Sequence, residues 1–511
     1  MRVYKTIAGL RSDLESLRAE RKIALVPTMG ALHIGHLTTI ERAVRENDTV
    51  VVSIFVNPLQ FGPNEDLDRY PRQLEKDARA CEKIGVDFIF APSAAELYQP
   101  GQATTQVAPP ETMTSVLCGK YRPGHFVGVA TIVTKLLNIV QPNTAYFGEK
   151  DAQQLAIIRR LVKDLNLPVK IVGCATVREE SGLAYSSRNQ YLTAAEKESA
   201  RVLSRSLLQA KKAFLAGDRN SASLIEIVSS ELAKVPLVKV EYVELVDRDT
   251  LVPVSKITGV GLLAMACYVG STRLIDNVVL TQRKPIIAID GPAGAGKSTV
   301  TRNLAESLGL LHLDTGAMYR AVTWLIMESD LAVLDEAAIA ELVASVKIDL
   351  VSSDSQDLPT RIYIDSQDVT EVIRTPKVTA NVSAVSAIKS VRTELVKQQQ
   401  RWGENGGIVV EGRDIGTNVF PDAELKIYLT ASTVERAKRR AQDLQDRGIE
   451  KVNLKQLEYE IQQRDYRDST RAIDPLKKAD DAIEINTDGL SVDDVTNKIV
   501  TIYRDTIAEN S

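Results

Sequence analysis

Hydrophobic runs alternate with amphipathic stretches through the first 90 residues of the chain. Short apolar runs at 23–27, 49–56 and 86–90 are typical of buried strands, and residues 35–45 and 72–84 between them have helical periodicity. This strand–helix–strand succession predicts an α/β fold with a parallel, doubly wound sheet. In such sheets ligands bind at the carboxyl ends of the strands.

The pattern changes twice further along the chain. Residues 194–216 have helical periodicity with many charges, and strands are predicted near 240–246 and 259–269, which together indicate a small α+β subdomain that closes over a cleft. A strand at 285–290 and a helix at 299–308 then begin a second α/β unit. We therefore predict a Rossmann-like domain at 1–190, the small α+β subdomain at 191–280, a linker at 281–284 and a second α/β domain at 285–511.

Composition narrows the class of protein. A hydrophobic content of 44% and a charged content of 25% fit a globular protein, and the net charge of −4 gives no support for a nucleic-acid partner. Four scattered cysteines without a C-x-x-C pair argue against a disulfide framework or a zinc site. The scattered cysteines, together with the lack of an export signal at the N-terminus, predict a cytoplasmic protein. The uncharged run 257–272 is too short to span a bilayer, so we expect no membrane partner.

The most specific single motif lies just past the middle of the chain, where residues 291–298 read GPAGAGKS. A strand before it and a helix after it are the context of a phosphate-binding loop, although a glycine-rich turn could match by chance. Lys297 could reach the β- and γ-phosphates of ATP, and the hydroxyl of Ser298, or of Thr299, could hold Mg²⁺. The motif predicts ATP contacts at Gly291, Gly294, Gly296, Lys297, Ser298 and Thr299.

Two of the chain's four histidines, His33 and His36, follow the first predicted strand. At positions i and i+3 of a starting helix they share one face, from which they could donate hydrogen bonds to phosphate oxygens. The helix N-terminus would add its partial positive charge. A zinc pair and a pair of capping histidines are the alternatives, and no third ligand of suitable spacing supports zinc.

Five segments of the first half occur in a specific order. They read PTMGALHIGH at 27–36, VNPLQFG at 56–62, RPGHF at 122–126, FGEKDAQQ at 147–154 and SSRN at 186–189. Together they resemble pantothenate synthetase, a HIGH-type nucleotidyltransferase, over roughly residues 1–280. The resemblance implies an ATP- and Mg²⁺-dependent joining of pantoate and β-alanine through an acyl adenylate. It also implies a homodimer formed through this half.

The same resemblance implies roles for individual residues. The ATP contacts would be Met29, Gly30, Ala31, Leu32, His33, Ile34, Gly35, His36, Gly148, Glu149, Lys150, Asp151, Val177, Tyr185, Ser186, Ser187 and Arg188. The catalytic residues would be His33, His36, Lys150 and Arg188, with His36 as a proton donor and Asp151 beside the metal. Gln60 and Gln154 would hold the pantoate hydroxyl and carboxylate. Without the motifs, these two glutamines would be read as surface amides and Lys150–Asp151 as a solvated ion pair.

Three segments of the second half read LDTGAMYR at 313–320, IVVEGRDIGT at 408–417 and RDYRDSTR at 464–471. With the phosphate-binding loop they resemble bacterial cytidylate kinase, a P-loop nucleoside-monophosphate kinase, over roughly residues 284–511. A nucleotide-binding insert would lie at about 332–378. The resemblance implies phosphoryl transfer from ATP to CMP or dCMP with Lys297 as a catalytic residue. It places around the acceptor Thr315, Arg320, Ser383, Arg392, Arg413, Asp414, Arg464, Asp468 and Arg471.

A basic cluster ahead of Gly448 resembles the lid that covers ATP in that family. It consists of Arg436, Lys438, Arg439 and Arg440. A solvated basic helix face is the alternative.

The sequence therefore predicts two enzymes in one chain that act on small-molecule substrates. One alternative keeps both folds and changes the substrates, as in another acyl-adenylate ligase joined to a UMP/CMP-type kinase. Another alternative is that one half is inactive and regulatory, but no expected catalytic residue is missing.

Overall fold

The chain divides into two compact units in the computed structural model. The structure describes residues 1–62, 67–98, 104–281, 284–329, 331, 335–352, 360–446, 453–471 and 473–510. The N-terminal unit is Met1–Gln282 and the C-terminal unit is Arg283–Ser511. Of the predicted linker at 281–284, residues 282 and 283 lie outside the described residues, as do Gly448 and parts of the predicted insert, 332–334 and 353–359.

The N-terminal unit contains one parallel and one antiparallel sheet. Its strands are β1 (Arg2–Tyr4), β2 (Ile23–Thr28), β3 (Thr49–Ile54), β4 (Phe88–Phe90), β5 (Thr144–Gly148), β6 (Lys170–Cys174), β7 (Val238–Asp247), β8 (Val260–Val269) and β9 (Thr272–Thr281). Its helices are α1 (Ile7–Leu17), α2 (Ile34–Glu46), α3 (Leu74–Ile84), α4 (Ala94–Leu97), α5 (Glu111–Thr114), α6 (Leu117–Tyr121), α7 (His125–Val140), α8 (Ala152–Asp164), α9 (Ala194–Leu215) and α10 (Ser221–Ala233). Short 3₁₀ turns lie at Pro58–Gln60, Glu149–Asp151 and Ser187–Tyr191.

Strands β1 to β6 form a parallel sheet in the order β1-β4-β3-β2-β5-β6. From β2 the chain builds the sheet first towards β3 and β4, and later towards β5 and β6 on the other side. The carboxyl ends of β2 and β5 therefore flank a topological switch point, where ligands bind in sheets of this type. The predicted doubly wound α/β fold is confirmed.

The strand predicted at 86–90 begins later than its apolar pattern suggests. Gly85, which follows α3, has a left-handed φ of 93° that suits glycine, and the Val86 amide donates to the Cys81 carbonyl at 3.1 Å. Val86 is therefore part of the turn that ends the helix. Its burial reflects packing of this turn rather than a place in the sheet.

Strands β7, β8 and β9 form the antiparallel sheet of the small subdomain. Its central strand, β8, is buried on both faces. Leu262 and Ala264 belong to the same hydrophobic core as the parallel sheet, whereas Leu263 and Met265 belong to a second core with α9 and α10. Because neighbouring side chains of a strand point to opposite faces, two-sided burial requires a continuous apolar run.

The C-terminal unit also contains two sheets. Its strands are β10 (Ile286–Asp290), β11 (Leu311–Asp314), β12 (Ile348–Ser352), β13 (Thr360–Ile364), β14 (Gln367–Asp368), β15 (Ile408–Gly412), β16 (Leu425–Thr430) and β17 (Ile483–Asn486). Its helices are α11 (Lys297–Leu308), α12 (Thr315–Glu328), α13 (Glu336–Ser345), α14 (Pro376–Val385), α15 (Lys389–Trp402), α16 (Thr433–Asp446), α17 (Leu454–Thr470) and α18 (Val492–Asn510). A 3₁₀ turn lies at Val372–Arg374 and a π-helical turn at Ile415–Val419.

The large sheet of this unit is parallel, in the order β11-β15-β10-β16-β17. Strand β10, which leads into the glycine-rich loop, lies in the middle and is fully buried. The small antiparallel sheet β12-β13-β14 lies within the predicted insert.

Candidate active sites

A cavity of about 230 Å³ lies at the switch point of the N-terminal sheet. The turn after β2, the segment after β5 and the loop at 175–188 form its walls. It brings together fourteen of the residues predicted from the sequence, namely Met29, His33, Gly35, His36, Gln60, Gly148, Lys150, Asp151, Gln154, Val177, Tyr185, Ser186, Ser187 and Arg188. Gly30, Ala31, Leu32, Ile34 and Glu149 are not in its lining.

Asp77 explains why part of the predicted ATP loop faces away from this cavity. This carboxylate, on α3 and only 1% exposed, accepts hydrogen bonds from the backbone amides of Ala31 and Leu32, both at 2.9 Å. Two amides of the loop are therefore committed to Asp77 rather than pointing into the cavity. Ile34, by contrast, is 43% exposed.

His33 and His36 lie side by side at the start of α2, with ring centroids 4.0 Å apart. His33 is the N-cap residue, and its backbone amide points at Nδ1 of His36 at 3.4 Å. That nitrogen accepts, so a neutral His36 carries its proton on Nε2. His36 thus caps the helix and lines the cavity at the same time. The capping role and the phosphate-binding role, which were alternatives in the sequence, are therefore compatible.

Both imidazoles are neutral in the free site at pH 7. The pKa of His33 is lowered to about 4 and that of His36 to about 3, mainly by burial. The Lys150 ammonium contributes to both shifts, and His33 contributes to that of His36. Neutral imidazoles still donate N–H hydrogen bonds to phosphate oxygens. A proton-donor role for His36 would require a bound anion that raises this pKa.

Gln60 is held in place by neighbouring residues. Asn57, which is fully buried, donates to the Gln60 side-chain oxygen at 2.9 Å, and the His125 ring is 2.7 Å from the Gln60 carbonyl. The Asn57 oxygen accepts from the Tyr98 hydroxyl at 2.9 Å. Because the amide oxygen of Gln60 accepts from Asn57, its amide nitrogen is the group that could donate to a ligand in the cavity.

A larger cavity of about 930 Å³ shares Gln60 and Arg188 with the first. Its far wall includes Arg273 on β9, whose Nε donates to Glu241 at 3.0 Å. The small subdomain therefore contributes directly to the surroundings of the site. Among the described residues of the chain, no cluster of three or more His, Cys, Asp or Glu side chains could hold a metal ion by itself.

The glycine-rich loop of the C-terminal unit wraps the start of α11. Gly291 has a φ of 147°, and a Cβ there would overlap the carbonyl oxygen of Leu429 on β16, so glycine is required for this approach. Lys297 is 6% exposed, and its ammonium donates to the carbonyls of Gly291 and Pro292, both at 2.7 Å. Burial, together with the nearby Arg413, pushes the Lys297 pKa well below its usual value, and an anion bound beside this group would favour its charged form.

Arg413 and Arg464 lie near Lys297, and Arg320 lies near Arg464. Arg320 donates to Asp314 at 2.9 Å and Arg413 to Asp468 at 3.1 Å. The Nε atoms of Arg320 and Arg464 are buried and have no partner. Burial lowers the pKa of Arg464, and the charges of Arg413 and Arg320 contribute to this. Guanidinium groups that repel one another and have buried nitrogens without a hydrogen-bond acceptor are typical of phosphate-binding sites.

A second group of charges is buried beside them. Arg392, only 2% exposed, donates to Asp414 and, at 2.9 Å, to Asp474. Asp414 also accepts from Arg471 at 3.2 Å. Two cations and two anions balance here, so this end of the site is electrically neutral, whereas the group of Arg320, Arg413 and Arg464 has excess positive charge.

Glu411 and Asp290 belong to this site although the sequence assigned them no role, and Glu411 lies within the motif at 408–417. Glu411, at the end of β15 beside the glycine-rich loop, accepts from the Ser298 hydroxyl at 2.7 Å and lies 3.0 Å from His312. Asp290, at the end of β10, accepts from the amides of Ile415 and Gly416 at 2.8 and 2.7 Å. An acid at the end of an apolar strand was the available signal for both.

The remaining predicted residues have more peripheral contacts. Thr315 donates to the Glu411 carbonyl at 2.7 Å, Thr299 is exposed, and Ser383 is half-buried on α14. In the basic cluster, Arg436 is 4% exposed and donates to the Ala293 carbonyl of the glycine-rich loop at 3.1 Å. A solvated helix face is therefore the wrong interpretation for Arg436.

Fold and sites together define the class of this protein. One unit is a HIGH-type nucleotidyltransferase with a cavity at its switch point, and the other is a P-loop kinase with a group of arginines beside its glycine-rich loop. Two nucleotide-dependent enzymes therefore lie in tandem in one chain.

Comparison with known proteins identifies the family. The family model for pantoate-beta-alanine ligase matches residues 2–279, and that for cytidylate kinase matches residues 287–505. A bifunctional pantoate ligase/cytidylate kinase from Trichormus variabilis is 58% identical over 533 aligned residues, covering 100% of both chains. One from Synechocystis is 56% identical and covers 99% of each. The crystal structure of pantothenate synthetase from Thermus thermophilus is 46% identical, with a TM-score of 0.52 over 54% of this chain and 99% of that one.

The chain belongs to the bifunctional pantoate ligase/cytidylate kinase family. Both resemblances predicted from the motifs are confirmed. Both enzyme families use ATP. Within the described part of the chain, no helix has the length and apolar composition needed to cross a membrane.

Proposed function

We propose that the N-terminal unit condenses pantoate with β-alanine at the cavity between β2 and β5. The pantoate carboxylate attacks the α-phosphorus of ATP, pyrophosphate leaves, and the amine of β-alanine then displaces AMP from the acyl carbon. His33, His36, Lys150 and Arg188 would donate hydrogen bonds to the phosphate oxygens that gain charge. The convergence of these donors with Gln60 and Gln154 in one cavity is the observation that carries this proposal.

We propose that the C-terminal unit transfers the γ-phosphoryl group of ATP to CMP or dCMP. A phosphate oxygen of the acceptor attacks the γ-phosphorus, and ADP leaves. Lys297 and the cluster of Arg320, Arg413 and Arg464 would balance the negative charge of the two phosphates as they approach. The buried, unpartnered nitrogens of Arg320 and Arg464 support this role, since they lack an acceptor that a phosphate would supply. The neutral group of Arg392, Arg471, Asp414 and Asp474, with Thr315, Ser383 and Asp468, would bind the nucleoside.

The residues present fit Mg²⁺, which prefers oxygen ligands and keeps several waters. In the kinase site the Ser298 hydroxyl and the Glu411 carboxylate are 2.7 Å apart beside the phosphate loop, and in the ligase site Asp151 lines the cavity. When bound, Mg²⁺ would neutralise phosphate charge. We also propose a homodimer through the N-terminal unit, testable by sedimentation of the full-length chain, and action in the cytoplasm, which four buried free cysteines support.

Separate substitutions test the two assignments in the full-length protein. Gln60→Ala is expected to abolish AMP formation from pantoate, β-alanine and ATP and to spare ADP formation with CMP. Lys297→Ala is expected to do the reverse. Lys163→Ala on α8 and Lys498→Ala on α18 remove exposed lysines from the same units and serve as matched controls. Loss of both activities in either site variant, or retention of both, would refute two independent sites.

A further inference from the structure

Two neighbouring residues of β9 reach from the small subdomain to the ligase site. The side-chain nitrogen of Asn277 donates to the backbone carbonyls of Glu149 and Lys150, at 3.1 and 2.9 Å. These carbonyls belong to the 3₁₀ turn Glu149–Asp151, which carries Lys150 into the cavity. Asn277 thus fixes the backbone from which the Lys150 side chain projects.

Asp276 holds a second loop of the same site. Its carboxylate, 2% exposed, accepts from both terminal nitrogens of Arg178, at 2.7 and 2.9 Å. This bidentate pair raises the pKa of Arg178. Arg178 faces Ala184 across a backbone bridge and also donates to the Gly182 carbonyl at 3.1 Å. It therefore closes the hairpin that leads directly into Tyr185 and Arg188.

The strand offers both loops a rigid support. The backbone amide of Asn277 donates to the Asp276 carboxylate at 2.8 Å, so the strand itself fixes the Asp276 side chain. Strand β9 is paired along its length with β8, which is buried on both faces. Loops depend on such neighbours because catalytic groups must be held to a fraction of an ångström.

We propose that Asp276 and Asn277 are positioning residues of the ligase, through which the small subdomain sets the places of Lys150 and Arg188. This inference rests on the proposed roles of Lys150 and Arg188. Because these two residues would stabilise charge that develops during adenylate formation, a loss of position lowers the rate of that step more than it weakens substrate binding.

A graded series at Asn277 tests the proposal in the full-length protein. Asn277→Ala removes both donors, Asn277→Ser retains one, and Asn277→Asp places a carboxylate against two carbonyl oxygens. Pantoate-dependent exchange of pyrophosphate into ATP is expected to fall about 10- to 100-fold in Asn277→Ala, with kcat rather than KM affected. The serine variant should be intermediate and the aspartate variant slowest. Asp276→Asn should also lower kcat.

Asn220→Ala is the matched control. Asn220 caps α10 in the same subdomain through the Ser223 amide and does not contact either loop, so its loss lowers the unfolding temperature without moving Lys150. The CMP kinase rate of each sample measures the amount of intact chain. The proposal is overturned if Asn277→Ala retains the exchange rate of the parent, or loses it only as far as Asn220→Ala does. Lys150→Met distinguishes failure of the proposed site from failure of the positioning role. Full exchange activity in Lys150→Met would refute the proposed site. Loss of exchange activity in Lys150→Met, together with parental activity in Asn277→Ala, would refute only the positioning role.

Discussion

Replacing Arg392 with methionine should destabilise the kinase unit strongly, because this guanidinium neutralises two carboxylates in the interior. Arg392 is 2% exposed and bonded to Asp414 and Asp474. Removing one partner from a buried ion pair costs about 3–5 kcal/mol. Asp414 keeps Arg471 at 3.2 Å, and the Asp474 side chain is 27% exposed and can be hydrated. We therefore expect a cost near the lower limit, about 3 kcal/mol.

Calorimetry of the full-length protein measures this loss. For a unit of this size, about 1 kcal/mol shifts the unfolding temperature by roughly 2–4 °C, so the kinase transition should move down by about 6–12 °C. The transition of the ligase unit, which does not contain Arg392, serves as the internal reference. Arg401→Met on the same helix α15 is the matched control, because Arg401 is exposed and should shift the transition by less than about 2 °C.

A double-mutant cycle with Asp474→Asn then isolates the pair. Asparagine can still accept from Arg392 but carries no charge, so the single variant should cost less than Arg392→Met, and the two changes should be coupled by about 0.5–3 kcal/mol. The KM for CMP should rise in both variants. An Arg392→Met shift as small as that of Arg401→Met would show that these charges are not balanced against each other as the contacts indicate.

Three further outcomes follow from the structure. The pKa of His36 is lowered to about 3, so the unfolded chain binds a proton that the native site excludes. The ligase unit should therefore lose stability as pH falls from 6.5 towards 3, and His36→Gln should flatten this slope in calorimetry. Burial raises the pKa of Asp290 to about 6, so the native kinase unit holds a proton that the unfolded chain has lost. This contribution should make the kinase unit less stable as pH rises from 3.8 to 6. The same dependence of stability on pH in Asp290→Asn would refute this. Gly128→Ala would place a Cβ on the Leu59 carbonyl and displace the turn that holds Gln60. The KM for pantoate should therefore rise, while CMP kinase activity stays unchanged. Ligase kinetics equal to those of the parent would contradict this close contact.

Motifs located both sites because their key residues are close in the chain. A phosphate loop needs a strand, glycines and a helix start in immediate succession, and His33 and His36 share one helix turn. These local requirements are visible without the fold. The order of the five segments in the first half then identified the family, which the comparisons confirm.

Residues that act from a distance were not visible in the same way. Asp77 and Asn277 lie on elements remote in sequence from the loops they hold, and an isolated acid or amide in a helix or strand has no periodic signal. Similarly, the boundary at Val86 depended on a left-handed glycine and one backbone hydrogen bond rather than on hydrophobicity.

The amino-acid sequence by itself determined the two α/β units, their families and most of the residues that gather in the two candidate sites, because hydrophobic period and loop chemistry are local properties. Only the tertiary structure decided which buried partners orient those residues and what charge they carry. The strand order places β2 beside β5, and the small subdomain brings Asn277 of β9 to the turn after β5. Burial in the ligase site makes His33 and His36 differ from the same side chains in solution, and burial in the kinase site does the same for Lys297.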